Sequence, residues 1–290
     1  MFKGSTVAIV TPFKKGKVDE KALGDLIEWQ IAQGTNAIVP CGTTGESATL
    51  DYKEHYRVID FTVKTVNKRV PVIAGTGANS TDETVEITLH AKKSGADAAL
   101  LVAPYYNKPT QEGLYRHYKT VAEKVDIPIV LYNVPGRTAV NILPSTVARL
   151  AEIKNIVAIK EATGDMKQVS EVLRLCGDRI TVISGDDFTT LPLLALGGKG
   201  VISVSANVAP RAVSQMCFFW MKGQYDKARA IHFKLEPLNT AMFIETNPIP
   251  VKTALALMGK IQEEFRLPLC EMAPANKEKL RKVLADLKLI

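Results

Sequence analysis

A (β/α)8 barrel with a C-terminal helical appendage is the α/β fold that the sequence predicts, on three observations. Eight short runs rich in β-branched and other apolar residues recur over roughly the first 220 residues, each short enough to be a strand buried on both faces. Stretches with helical spacing lie between them, set off by polar or glycine-bearing loops. Beyond about residue 222 the strand-like runs stop and only helical patterns continue. The division expected is a barrel over residues 1–222 and a helical domain over 223–290, which the length of 290 residues accommodates. A doubly wound open sheet is the alternative, but its dinucleotide fingerprint is missing. In Gly75-Thr-Gly77-Ala-Asn-Ser80 a serine stands where the third glycine belongs.

In chain order, strands are expected at 7–10, 37–39, 71–74, 98–102, 128–132, 156–160, 180–184 and 200–204. Helices are expected at 20–33, where Leu23, Leu26, Ile27 and Ile31 share one face, and at 52–66, 81–94, 111–125, 144–151, 166–175 and 188–196. Ser80-Thr81-Asp82-Glu83 and the segment 141–144 read as helix starts, and Gly34, Gly95 and Gly177 stand where helices should stop. The appendage reads as helices at 224–238, 250–258 and 276–287.

Composition excludes several classes. Hydrophobic residues make up 46% and charged residues 23%, so the chain can bury a core and is not disordered. The net charge of +7 is dispersed, without a basic run or an aromatic-interleaved patch, so nucleic acid is not expected as a partner and the charge serves at most to draw in anions. No run is long enough to cross a membrane, and Thr11 and Pro12 interrupt the first apolar stretch before it can serve as a signal peptide; a cytoplasmic location is expected. Cys41, Cys176, Cys217 and Cys270 are far apart, which argues for reduced thiols.

In a barrel, chemistry sits where strands end, so those junctions hold the candidates. Lys160 closes the otherwise apolar run 156–159, where a lysine pointing inward would leave water; burial disfavours its ammonium, and a neutral amine can attack a ketone to form a Schiff base. The alternative is a lysine that snorkels to solvent. Tyr132 ends the neighbouring strand and can pass protons as the carbinolamine forms and dehydrates, or it can be a core tyrosine. Gly42-Thr43-Thr44-Gly45 offers hydroxyls and backbone N–H groups to a carboxylate. Arg137 can grip a second carboxylate or lie on the surface. His55, His90, His117 and His232 show no metal-ligand spacing, so a metal or other cofactor is not expected and carbonyl activation falls to an imine. Asp186 and Asp187 follow the seventh strand, where many barrels bind phosphate, and would repel it.

The segments 42–46 (GTTGE), 132–138 (YNVPGRT), 159–163 (IKEAT) and 184–187 (SGDD), with 7–12, 111–115 and 247–252, resemble the dihydrodipicolinate synthase family of the pyruvate-dependent class I aldolase superfamily. The resemblance runs nearly end to end. It implies a lyase of lysine and diaminopimelate biosynthesis that condenses pyruvate with L-aspartate 4-semialdehyde. It implies that Lys160 carries the Schiff base, that Tyr132 moves protons, and that Thr43 links Tyr132 to a Tyr106 reaching across a subunit interface. Thr44, Gly185 and the backbone at Ile202 would hold pyruvate, and Arg137 the aldehyde's carboxylate. N-acetylneuraminate lyase is the rival, disfavoured by Thr43 and Arg137; a basic barrel that binds RNA without catalysis leaves Lys160, Tyr132 and Thr43 unexplained. The resemblance also implies a homotetramer, a dimer of tight dimers. Ala48, His55, Asn79, Glu83 and Tyr105 match the family's lysine-inhibitor cleft, although Tyr52 stands where sensitive relatives often have histidine.

Overall fold

The computed structural model describes residues 2–290. Its centre is eight parallel strands: β1 (Gly4–Ala8), β2 (Ala37–Val39), β3 (Ile73–Gly75), β4 (Ala98–Val102), β5 (Ile129–Asn133), β6 (Ile156–Glu161), β7 (Thr181–Ser184) and β8 (Gly200–Ser203). They are ordered β2-β1-β8-β7-β6-β5-β4-β3. A parallel bridge between Ile38 and Val72 joins the two ends, so the sheet closes and presents no free edge.

Helices α1 (Glu20–Ala32), α2 (Tyr52–Val66), α3 (Thr81–Ser94), α4 (Gln111–Lys124), α5 (Pro144–Leu150), α6 (Met166–Cys176), α7 (Thr190–Leu196) and α8 (Pro210–Met221) follow the strands in turn. Their ends obey local chemistry. Asp51 accepts from the N–H of Glu54 at 2.8 Å to start α2, and Gly95, at φ +91°, ends α3 in a conformation glycine adopts without penalty. Three further helices complete the chain: α9 (Tyr225–Ala241), α10 (Ile249–Leu257) and α11 (Pro274–Asp286). Leu238, Leu255, Leu280 and Leu284 from these helices share one buried cluster with Ile27, Ile59 and Val213. Burying a side chain of this size stabilises the fold by about 1.5–3 kcal/mol, which docks the appendage on the barrel, with α9 against α8.

Three expectations need correction. The first strand starts earlier than 7–10, because Gly4 to Val7 pair with β8 and Thr6 to Ala8 with β2, whereas Val10 has left the ladder and gives its N–H to Asn207 Oδ1 at 3.1 Å. Ser5 and Thr6 hide the strand from an apolar-run reading although both are buried. Asn141 caps no helix: α5 opens on Pro144 without a side-chain cap, and the Asn141 amide bonds Asn133 and Gln168 instead. Helix α8 is not among the expected helices, since Phe218, Phe219 and Trp220 blur the buried stripe of Val213, Met216 and Cys217.

Candidate active site

The register of β5 and β6 builds the centre of the site. Tyr132 is paired with Lys160, and Asn133 with Glu161. Strand side chains alternate, so the first pair points into the barrel with Ala158 and Val130, while the second points toward the helices. Lys160 and Tyr132 are 5% and 6% exposed, which removes the snorkelling lysine as a reading. The Lys160 ammonium lies 4.0 Å from the centroid of the Tyr132 ring. Outside the barrel, Glu161 accepts hydrogen bonds from Asn133, Gln168 and the N–H of Thr163, and burial pushes its carboxyl above the usual carboxylate range. That network fixes the two strand ends beneath the lysine.

A cavity of about 300 Å³ opens above this pair. Thr43, Thr44, Tyr132, Arg137, Lys160 and Gly185 line it, so six of the predicted residues meet there. Two do not. Ile202 is fully buried in β8, paired with Thr6, and Val204 lines the cavity in its place. Tyr106 is 90% exposed and borders neither this cavity nor its neighbour. Gly185 earns its position sterically: a β-carbon there would stand 3.0 Å from Cγ and Cε of Lys160 and 2.7 Å from the Ala162 β-carbon. Any larger residue would push the lysine stem aside.

The turn at 42–46 closes with hydrogen bonds from the N–H groups of Gly45, Glu46 and Ser47, not those of Thr43 and Thr44. Glu46 holds a left-handed backbone (φ +53°), which a non-glycine residue adopts at a cost. Its carboxylate forms a fully buried ion pair with Lys252 of α10. The Phe13 ring lies 4.2 Å from that ammonium. The appendage therefore grips the loop that carries both threonines.

Sequence reading assigned no role to Asn247 or Lys252 and gave Asp187 only that of repelling phosphate. Asn247 donates from Nδ2 to Thr44 Oγ1 at 3.0 Å and accepts on its backbone oxygen from Arg137 Nη2 at 3.1 Å. Lys252 interrupts an apolar helix much as Lys160 ends an apolar strand, and that signal was available. Asp187 is buried and accepts from Ser203 Oγ and from the N–H groups of Val204 and Ser205, each of the latter at 3.0 Å. Burial pushes its carboxyl upward in pKa. The amides after β8 that a phosphate would use are thus already occupied. No group of three or more His, Cys, Asp or Glu side chains is placed to hold a metal among the described residues.

A second, larger cavity of about 550 Å³ adjoins the first through Thr43, Arg137 and Asn247. Ala48, His55, Glu83 and Tyr105 line it together with Tyr52, but Asn79 does not; its backbone oxygen accepts from Asn107 Nδ2 at 2.8 Å. Burial lowers the pKa of His55, whose Nε2 is bonded to the Gly75 oxygen at 2.7 Å. Burial, reinforced by Glu83, raises the phenols of Tyr52 and Tyr105.

An inward lysine beside a tyrosine ring at the strand-end mouth of a closed parallel barrel sets an amine and a phenol where enzymes of this fold hold their substrates. The Dihydrodipicolinate synthetase family matches residues 1–287, and the chain belongs to that family. The 4-hydroxy-tetrahydrodipicolinate synthase of Thermodesulfovibrio yellowstonii is 73% identical over 290 residues, covering 100% of both chains. The crystal structure of dihydrodipicolinate synthase from Aquifex aeolicus superposes with a TM-score of 0.98 at 55% identity over 99% of each chain. That of the chloride-inhibited enzyme from Acinetobacter baumannii complexed with pyruvate gives 0.98 at 52% identity over 100% of each.

Proposed function

We propose that Lys160 carries pyruvate as a Schiff base for condensation with L-aspartate 4-semialdehyde, giving 4-hydroxy-tetrahydrodipicolinate. The overall activity, a lyase of lysine and diaminopimelate biosynthesis, is that of the chain's family and its full-length relatives. The observation that carries the residue assignment is the buried amine of Lys160 set 4.0 Å from the Tyr132 ring. Lys160 Nζ attacks the keto carbon, and the carbinolamine loses water to leave the imine. Loss of a methyl proton gives the enamine, whose carbon attacks the aldehyde while the aldehyde oxygen takes a proton. The substrate's own amino nitrogen then bonds to the imine carbon, and the C–Nζ bond breaks to return Lys160. Tyr132 is assigned the giving and taking of protons in these steps, a role supported by the contact of its side chain with the lysine.

Thr44, with the free amides of the turn, receives the carboxylate of pyruvate, and Arg137 receives that of the aldehyde. Gly185 serves by leaving room for the lysine. Steady-state assays that pair pyruvate with aspartate 4-semialdehyde, and separately with N-acetylmannosamine, test the reading. Turnover is expected only with the former, and turnover only with the latter would overturn it.

Tyr106 supports assembly. A tyrosine this exposed in the loop after β4 fits one that completes the relay of Tyr132 and Thr43 in a neighbouring subunit of a dimer of dimers. Sedimentation that found a fully active monomer would contradict this. The larger cavity is proposed to take L-lysine, with Glu83 as the acid facing its amines; an unchanged rate at millimolar lysine would reject it. A cytoplasmic location is supported by four unpaired cysteines, and no helix among the described residues is long and apolar enough to cross a membrane.

A further inference from the structure

Asn247 makes three different presentations from one position. Its Nδ2 reaches Thr44 Oγ1, its backbone oxygen reaches Arg137 Nη2, and its Oδ1 is buried without a hydrogen-bond partner although the residue lines the Lys160 cavity and is 4% exposed. The orientation of the amide follows from the chemistry of Thr44. That hydroxyl is needed as a donor to a substrate carboxylate, so its oxygen must accept from Asn247, which leaves Oδ1 as the unpaired acceptor.

A buried acceptor without a donor is unfavourable until something fills it, and the site offers no protein donor. Pyruvate cannot fill it, since its keto and carboxylate groups only accept. The second substrate brings an α-ammonium on the carbon that bears the carboxylate held by Arg137, and Arg137 is bonded to the backbone of this same residue. We propose that Asn247 Oδ1 accepts a hydrogen bond from the α-ammonium of the amino aldehyde. Asn247 is then the residue that distinguishes this substrate from its des-amino analogue. The inference rests on the assignment of Lys160 and Arg137 above. The rival acceptor in the cavity is Asp186, whose carboxylate already accepts from the N–H of Phe188 at 3.0 Å.

The test compares aspartate 4-semialdehyde with 4-oxobutanoate, the same aldehyde without the amino group, on the pyruvate-loaded enzyme. The wild type should bind 4-oxobutanoate about ten- to a hundredfold more weakly, as expected for one hydrogen bond to a charged group. Asn247→Ala should reduce that ratio to within about threefold of unity. Asn247→Asp keeps an acceptor but no longer donates to Thr44, so it should retain the ratio while raising KM for pyruvate. Equal binding of the two aldehydes by the wild type would overturn the proposal without recourse to any variant. So would a ratio lost in Asp186→Asn and kept in Asn247→Ala. Reduction with borohydride in the presence of pyruvate separates this from the parent reading. Failure to label wild-type Lys160 removes the imine mechanism, whereas labelling with an unchanged ratio in Asn247→Ala removes only the role of Asn247.

Discussion

Replacing Lys252 by methionine keeps the length of the side chain and removes its charge, leaving Glu46 buried opposite a missing cation. Both partners are 0% exposed, and the remaining donor to Glu46 is the N–H of Arg266, 3.4 Å from Oε2. Removing one member of such a pair costs about 3–5 kcal/mol, because the surviving charge stays out of water. With an unfolding entropy near 2.1 cal/mol/K per residue, 290 residues give about 0.6 kcal/mol/K. The expected drop in Tm is therefore about 5–8 °C by calorimetry. Glu46→Gln should be destabilised too, and with a diagnostic pH dependence. Burial already holds the Lys252 ammonium below the ordinary lysine range while Glu46 opposes that shift. Without Glu46 the folded value falls further below the unfolded one, so the unfolded chain binds the extra proton and stability rises with pH toward about 10.4. Combining both changes leaves a neutral pair and should recover most of the lost Tm. A fall below about 1 °C in Lys252→Met, or a double variant no better than either single, would refute the view that this pair locks the threonine loop.

Three substitutions address the cavity. Gly185→Ala places a methyl 3.0 Å from the Lys160 stem and should cost about 1–3 kcal/mol while slowing imine formation; unchanged pyruvate trapping would refute the steric role. Tyr132→Phe keeps the ring over Lys160 and removes the proton carrier, and kcat should fall about 10²–10⁴-fold in rapid-quench assays. A loss below tenfold would assign the proton transfers elsewhere. Arg137→Ala should raise KM for the aldehyde about 10–100-fold with little change for pyruvate, and an equal effect on both would remove its proposed partner.

The sequence revealed what depends on one strand at a time. A charge ending an apolar run marked Lys160, and strand order placed Tyr132 beside it, as the register confirms. It could not reveal partnerships between distant segments. Glu46 and Lys252 are 206 positions apart and Thr44 and Asn247 203, so neither pair has a spacing to read. Ile202 shows a second limit. Resemblance alone placed its backbone at the substrate, since an isoleucine inside an apolar strand carries no signal of its own, and in the structure the residue after β8 that lines the cavity wall is Val204. Asn79 likewise lies outside the larger cavity, since His55, Glu83 and Tyr105 are carried there by α2, α3 and the loop after β4, whereas its own carbonyl is tied to Asn107.

The most direct measurement of the central claim is reductive trapping. The intact enzyme is incubated with pyruvate and borohydride, digested, and mapped by mass spectrometry. A single reduced pyruvate adduct on Lys160, absent from Lys160→Ala and from samples without pyruvate, is the predicted result. An unmodified Lys160 in enzyme that turns over, or an adduct confined to another lysine, would contradict the account.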